Sequence, residues 1–500
     1  MNQELNQKID AFIEANRAQL LDDIAALVAV NSVESAPAEG EPFGAGARKA
    51  LDTTLAIAER MGLAAHNCEG YIGYAELPGA DPDKYLATIC HVDVVPAGEG
   101  WAGSPFEMRR QDGWIIGRGV MDDKGPMVVT LYALKFLQEM GAQLRYPIRA
   151  LAGTNEETGM KDVEYYLAHN KAPVFCFTPD AEFPVCNGEK GHFHGKLVSP
   201  VCGGVIRAFE GGVANNAVPD RASALVAVEM AGLKNAPGIT LEPENGCVRV
   251  RGWGKAGHAA SPEGTVNAIG LVADYLLANG LCNEADRAYL EALHKLHSST
   301  AGAGLGIASA DGPFGPLTII GGRIYMQDGR MVQTMDSRYP TSTNGDAIAA
   351  GIRASIGSGA ALEDVDSADP FYIGADTPAI RACIDTYNEV TGKDEKPFTM
   401  GGGTYARHFP YAVSFGPESH DMVLPAFGGP MHGANESAPV DSLLQSVKIY
   451  ILTLLKLEES PNSWQAYSAN PVAYNAMAII QPIYWKTFIP PASRDRKSVV

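Results

Sequence analysis

Long apolar runs are missing from this chain: nothing in it approaches the ~18 uninterrupted apolar residues that a membrane-spanning helix requires. Paired cysteines are missing too. Cys68, Cys90, Cys176, Cys186, Cys202, Cys247, Cys282 and Cys383 are scattered without a Cys-x-x-Cys pair, which reads as reduced, mostly buried thiols. Basic residues are in short supply, with 39 Lys and Arg against 58 Asp and Glu and a net charge of -19. Such a surface repels phosphate backbones and anionic headgroups, so neither nucleic acid nor a membrane is an expected partner. Acidity of this size is compatible with cation binding without showing it. Long disordered spans and internal repeats are absent as well.

What is present is the composition of a globular protein, 46% apolar and 19% charged, with 54 Gly that imply many tight turns. A chain of 500 residues exceeds a single core and points to two or three domains. The N-terminus places Leu5, Ile9, Phe12, Ile13, Leu20, Ile24 and Leu27 at three-to-four spacing among acids, the pattern of an amphipathic helix rather than of a secretory signal. The cytoplasm is the expected location.

From about residue 85 to 180 strands and helices alternate. YLATIC (85–90), a helix over 124–140 stopped by Gly141, PIRALAG (147–153), a short helix at KDVEYYLAHN and VFCFTP (174–179) follow one another. FEMRRQDGWIIG, with an Asp-Gly turn between β-rich arms, reads as a hairpin. The alternation predicts an α/β fold whose sheet, largely parallel, is flanked by helices. Ligands bind such sheets outside the carboxyl ends of the strands, which puts His91, Glu156 and Asp180 on a common edge. From about Gly191 strand-like runs such as LEPENGCVRVRG, a helix after Pro262 and glycine-rich connections take over, before a helix of the earlier kind returns at TPAIRACIDTYNEVTG. An inserted α+β domain explains this order, with catalytic parts at 1–190 and 373–460, the insert at 191–372 and an atypical tail at 461–500. The tail has broken apolar patches and no clear period. Its final DRKSVV is what one frame of a common sequencing adapter encodes, so it is expected to be an artefact.

The chemistry-bearing residues are bland one at a time. His91 and Asp93 are two apart after a strand, so the acid can hold one ring nitrogen and orient the other. Asp122 and Asp123 precede a helix, where one acid is enough for a cap. Glu156 and Glu157 follow a buried strand, and Asp180 ends VFCFTPD. Crowding these acids on one edge raises carboxylate pKa values and destabilises the fold, whereas divalent ions reverse that penalty. Nitrogen and oxygen donors without thiolate suit zinc, with cobalt or manganese as substitutes.

HVDVVPAGEGW, GRGVMDDKGP, TNEETG, FTPDAEFPVCNGEKG, NNAVPD, GKAGHAASPEG, DSRYP, GGGTYAR and HGANES occur in the order seen in the M20 metallopeptidases, and the chain most resembles their PepV-type dipeptidases from the N-terminal helix to about residue 460. The resemblance implies two zinc ions, one held by His91 and Asp180, the other by Glu157 and His432, with Asp122 bridging both and Asp93 orienting His91. It also implies a cis peptide between Asp122 and Asp123, Glu156 as general base for the attacking water, and His258 as oxyanion partner. Arg338 is implied to clasp the substrate carboxylate, with Asn216 and the backbone of Gly401, Gly402, Gly403 and Thr404 in further substrate contact. Asn216, His258 and Arg338 lie in the insert, which would therefore close as a lid over short unblocked peptides, in a monomer. Hydrolysis of N-acyl amino acids and a non-catalytic peptide-binding relative are the alternatives. The chain departs from the family at Cys90, where glycine is usual, at Ser337 beside Arg338, and at Asn435, where Asp-Glu is common in place of Asn435-Glu436. Side-chain preference, acceptance of D-residues or β-alanyl peptides and the metal used in the cell are not readable from the residues.

Overall fold

The computed structural model describes residues 3–459; the tail at 461–500 lies outside the described residues. The first layer is a nine-stranded mixed sheet. Leu86–His91 runs parallel to Ile148–Gly153 on one side and to Phe175–Thr178 on the other, and Ala412–Ser414 extends the parallel run. The margins are antiparallel, with Ala64–Cys68 and Ile72–Leu77 at one edge and Cys186–Glu189 with Phe371–Tyr372 at the other.

Every position of Leu86–His91 is buried, as a strand covered on both faces must be. Alternation assigns the faces. Leu86 and Cys90 join the main core, shared with the helices Gln3–Val28, Lys124–Glu139, Pro378–Thr391 and Val440–Glu459. Ala87 and Ile89 join a second cluster with Val163 and Tyr166 of helix Lys161–His169 and with Tyr405. The chain steps one way along the sheet through Lys124–Glu139, then back past the starting strand through Lys161–His169. Two right-handed crossovers of opposite direction place their helices on opposite faces, and the reversal opens a crevice at the carboxyl ends of the strands.

The second sheet has eight strands, built from Gly191–Val198 through Ala361–Ala368. Helices Ala268–Ala278, Glu284–His297 and Gly345–Ile356 close over one face, around Phe193, Leu197, Ile269, Leu293 and Ile352. The chain leaves the first sheet after Glu189 and is back in it at Phe371, where Phe371–Tyr372 pairs with Cys186–Glu189. The expected insert, 191–372, thus takes in this returning strand, which is too short to carry a pattern of its own. The predicted tight turn is left-handed at two successive residues, Asp112-Gly113, in the hairpin Arg109–Gln111 with Trp114–Ile116, and Asn245-Gly246 between Ile239–Glu244 and Cys247–Trp253 has the same form, as two-residue hairpin loops of this composition require.

His297, at the end of helix Glu284–His297, has a buried Nε2 with no hydrogen-bond partner. Burial lowers its pKa from 6.5 to about 4. The unfolded chain therefore binds a proton between these values that the folded chain refuses, and stability falls as pH drops from about 6.5 towards 4. One such group contributes a slope of up to about 1.4 kcal/mol per pH unit. Denaturant unfolding at stepped pH should show a shallower slope for His297→Gln than for the wild type; equal slopes refute the assignment.

Candidate metal centre

Three adjacent parallel strands deliver their successors to one edge. His91 ends Leu86–His91, Glu156 and Glu157 sit in the turn after Ile148–Gly153, and Asp180 lies just past Phe175–Thr178. Asp122 enters from the loop before Lys124–Glu139, across a cis peptide to Asp123, and His432 from the loop ahead of Val440–Glu459 in a left-handed conformation with φ 60°.

The five residues form two groups that share Asp122. Asp122 Oδ1 is 2.8 Å from His91 Nε2, which is 3.9 Å from Asp180 Oδ2. Asp122 Oδ2 is 2.9 Å from His432 Nε2, which is 3.2 Å from Glu157 Oε2. In each group, one donor atom per residue lies within 4.8 Å of the others. His91 Nε2 and Glu157 Oε1 are buried without a directed hydrogen bond, a cost the fold would avoid unless another partner used them. A nitrogen and oxygen donor set arranged as two triads around one bridging carboxylate fits a pair of divalent cations of the zinc type.

The titration preferences of the cluster agree with that fit. Burial alone would lower the pKa of His91, yet Asp122 and Asp93 carry it well above the ordinary histidine value. Hydrogen bonds to Asp122 and then Glu157 raise His432 to about 10. Burial, and next the charge of Asp122, pushes Asp180 well up, and burial followed by Asp180 does the same to Glu156. The site is short of positive charge, which two dications supply.

Buried carboxylates hold the frame. His91 Nδ1 is 3.0 Å from the Asp93 backbone carbonyl and 3.5 Å from its carboxylate. The carboxylate also accepts the backbone N–H groups of Glu156 and Glu157 at 3.2 and 3.1 Å, so Asp93 ties the histidine strand to the glutamate turn. Asp162 secures the same turn from the other side, accepting from Thr154 N, Asn155 N and the Tyr405 hydroxyl. Glu436 accepts from the amides of Gly119, Met121 and Asp122 and pairs with fully buried Arg118 at 2.7 Å. Glu189 accepts from Thr404 N and Oγ1 and pairs with Arg407 at 3.0 Å. Sequence reasoning missed Asp162, Glu189 and the anchoring role of Glu436, because a buried acid and a surface acid look alike in one sequence; their only signal was membership of the quoted motifs or nearness to them.

The departures are absorbed. The Cys90 side chain turns to the helix-covered face beside Asp123, away from the face that His91 shares with Tyr405. Asn435, left-handed at φ 57°, accepts from Ala102 N at 2.9 Å and Arg109 at 2.8 Å. Ser337 is fully buried, opposite in strand alternation to Arg338.

A cavity of about 750 Å³ opens on the centre. Asp122, Glu156, Glu157, Asp180 and His432 line it together with Gly401, Gly402, Gly403 and Thr404, and the insert contributes Ala260 and Ser261. Asn216, His258 and Arg338 are not among its lining residues. Asn216 Nδ2 and His258 Nε2 are 3.5 Å apart, and His258 Nδ1 accepts from Ala260 N. Arg338 is held by Asp336 through Nε and Nη2 at 2.9 and 3.0 Å.

Comparison with known proteins matches this geometry to a family. The description of peptidase family M20/M25/M40 matches residues 87–456. The chain is 31% identical over 468 residues to the Beta-Ala-Xaa dipeptidase of Lactobacillus delbrueckii subsp. lactis, covering 89% of this chain and 97% of that protein. Among solved structures it resembles the dipeptidase Dug1p of Saccharomyces cerevisiae, with TM-score 0.55, 12% identity and coverage of 91% and 99%. It also resembles the dinuclear metal-binding M20 peptidase YXEP of Bacillus subtilis, with TM-score 0.50, 10% identity and coverage of 89% and 99%. Among the described residues no helix is long and apolar enough to cross a membrane. With its motifs in family order, its mixed α/β fold and a relative of this identity along nearly its whole length, the chain belongs to peptidase family M20/M25/M40.

Proposed function

We propose that the protein is a dinuclear zinc dipeptidase acting on short unblocked peptides. The observation that carries this reading is the pair of donor triads sharing Asp122 in one cavity, with Glu156 beside them and outside both donor sets. His91 and Asp180 would hold one zinc, Glu157 and His432 the other, with Asp122 between them. Bound there, the two cations would supply Lewis acidity and an acidified water. Glu156 would take a proton from the attacking water on its carboxylate and return it to the departing amine. His258 would donate a ring N–H to the developing oxyanion. Arg338 keeps its Nη1 and Nη2 edge available beyond Asp336, so it can receive a substrate carboxylate in a paired contact.

The residue placements support a closing insert. Ala260 and Ser261 already reach the cavity, while Asn216, His258 and Arg338 stand outside its lining, so these three meet substrate only when the insert swings in. Closure of this kind completes a site and excludes water. Because the residues come from the same chain, one copy suffices, and we assign a monomer. A cytoplasmic location is supported by eight cysteines that are all unpaired.

Turnover of a panel of free dipeptides and their N-acetylated forms, after chelation and zinc add-back, tests the reading. Free dipeptides should be cleaved and acetylated ones spared; the reverse identifies an N-acyl-amino-acid amidohydrolase. Binding without turnover of either identifies a peptide-binding protein. Arg338→Lys keeps the charge and loses the fork, so KM for a dipeptide should rise about tenfold or more, one charge-assisted contact of about 1.5–3 kcal/mol, with kcat less affected. An unchanged KM removes Arg338 from substrate recognition.

A further inference from the structure

We propose a third divalent-metal site, at the base of the insert, formed by His192, His194 and Asp366. It shares no residue with the Asp122 centre and does not depend on the dipeptidase reading. His192 and His194 occupy one face of strand Gly191–Val198, while Phe193 and Leu197 turn into the core of the insert. In register His194 stands between Asp336 on one neighbouring strand and Asp366 on the other. The two rings stack with centroids 5.0 Å apart. His192 Nε2 lies 3.5 Å and His194 Nδ1 3.9 Å from Asp366 Oδ2, and the three donor atoms all fall within 4.8 Å of one another. A cation at about 2.0–2.2 Å from each donor needs this separation.

His194 is prepared for the task. Its Nε2 is 3.2 Å from the carboxylate of buried Asp336, which fixes the proton there and leaves the Nδ1 lone pair facing Asp366, the carboxylate–histidine arrangement that supports metal ligation. Two arginines stand nearby, each already paired, Arg338 with Asp336 and Arg407 with Glu189. With Asp366 the local sum stays negative, so a cation is electrostatically tolerated. One contact opposes binding: Arg407 Nη1 lies 2.7 Å from His192 Nδ1. With a metal on Nε2 the proton moves to Nδ1 and that contact is given up, while Arg407 keeps Glu189 and the Lys190 carbonyl. Two imidazoles and one carboxylate, with positions open to water, select a transition-type dication such as zinc, nickel or copper(II) over magnesium or calcium.

The location gives the site a consequence. Gly191–Val198 carries the chain into the insert and Ala361–Ala368 carries it out. A cation joining His192 and His194 to Asp366 ties these two strands together.

The test uses the full chain, stripped with chelator and dialysed against zinc, with bound metal counted by elemental analysis. The wild type should retain one equivalent more than Asp366→Ala and His192→Gln, or hold that equivalent at least tenfold more tightly. Asp366 is exposed and His192 only partly buried, so unchanged thermal midpoints are expected and identify the loss as one of ligands. Copper(II) added after the Asp122 centre is loaded should give a paramagnetic resonance signal split by two imidazole nitrogens, lost in both variants. Equal metal counts and equal signals in the wild type and both variants overturn the site, whatever the dipeptidase assay returns.

Discussion

Glu156→Gln leaves the metal content of the protein unchanged and lowers kcat for a free dipeptide by roughly 10²–10⁴-fold, the contribution of a positioned general base. The substitution is nearly isosteric and removes only the ability to take a proton. The turn is held through backbone N–H groups by Asp93 and Asp162, so exchanging the Glu156 carboxylate for an amide leaves those bonds intact. Glu156 is also absent from both donor triads, which separates this variant from Glu157→Gln. The latter should lose metal, and with it activity. Elemental analysis beside steady-state kinetics distinguishes the two, and wild-type turnover in Glu156→Gln removes the proton-transfer role even if both cations remain.

A second large effect is expected at a residue that holds no metal. Glu436→Ala should destabilise the protein by about 3–5 kcal/mol, the range for breaking a buried ion pair from one side. Glu436 and Arg118 are both essentially inaccessible, at 0% and 1%, and the alanine leaves the guanidinium without its carboxylate. The amides of Gly119, Met121 and Asp122 lose an acceptor at the same time. Because one of them belongs to Asp122, which both candidate donor triads share, metal affinity should fall alongside stability. Glu436→Gln keeps an acceptor for the amides and loses the charge, so it should lie between the alanine variant and the wild type. Denaturant unfolding of the metal-free protein is the measurement, and a loss under about 1 kcal/mol in the alanine variant would mean that the pair is dispensable.

Legibility varied with the kind of signal. The all-buried strand Leu86–His91 and the helix Lys124–Glu139 were readable because burial on every side leaves an unbroken apolar run bounded by turn residues. Turns such as Asp112-Gly113 were readable because few residues tolerate a left-handed backbone. Phe371–Tyr372 was not: two residues carry no period, and the strand exists because Cys186–Glu189 offers it an edge. The candidate donors stood in quoted motifs, whereas the amides that Asp93 holds were hidden, since a carboxylate two residues from a histidine gives no sign of which backbone groups reach it. The packed turn brings those amides to it.

Composition and residue order by themselves pointed to an acidic globular α/β chain, through residue type and local period, and to its family, through long motifs in one order. Tertiary structure alone decided that Glu436 and Asp162 are anchors rather than surface acids, and that His194 lies between two aspartates from distant strands. The reason is geometric. Each depends on segments separated by tens to hundreds of residues meeting at hydrogen-bond distance, and no spacing within one strand or helix encodes that approach.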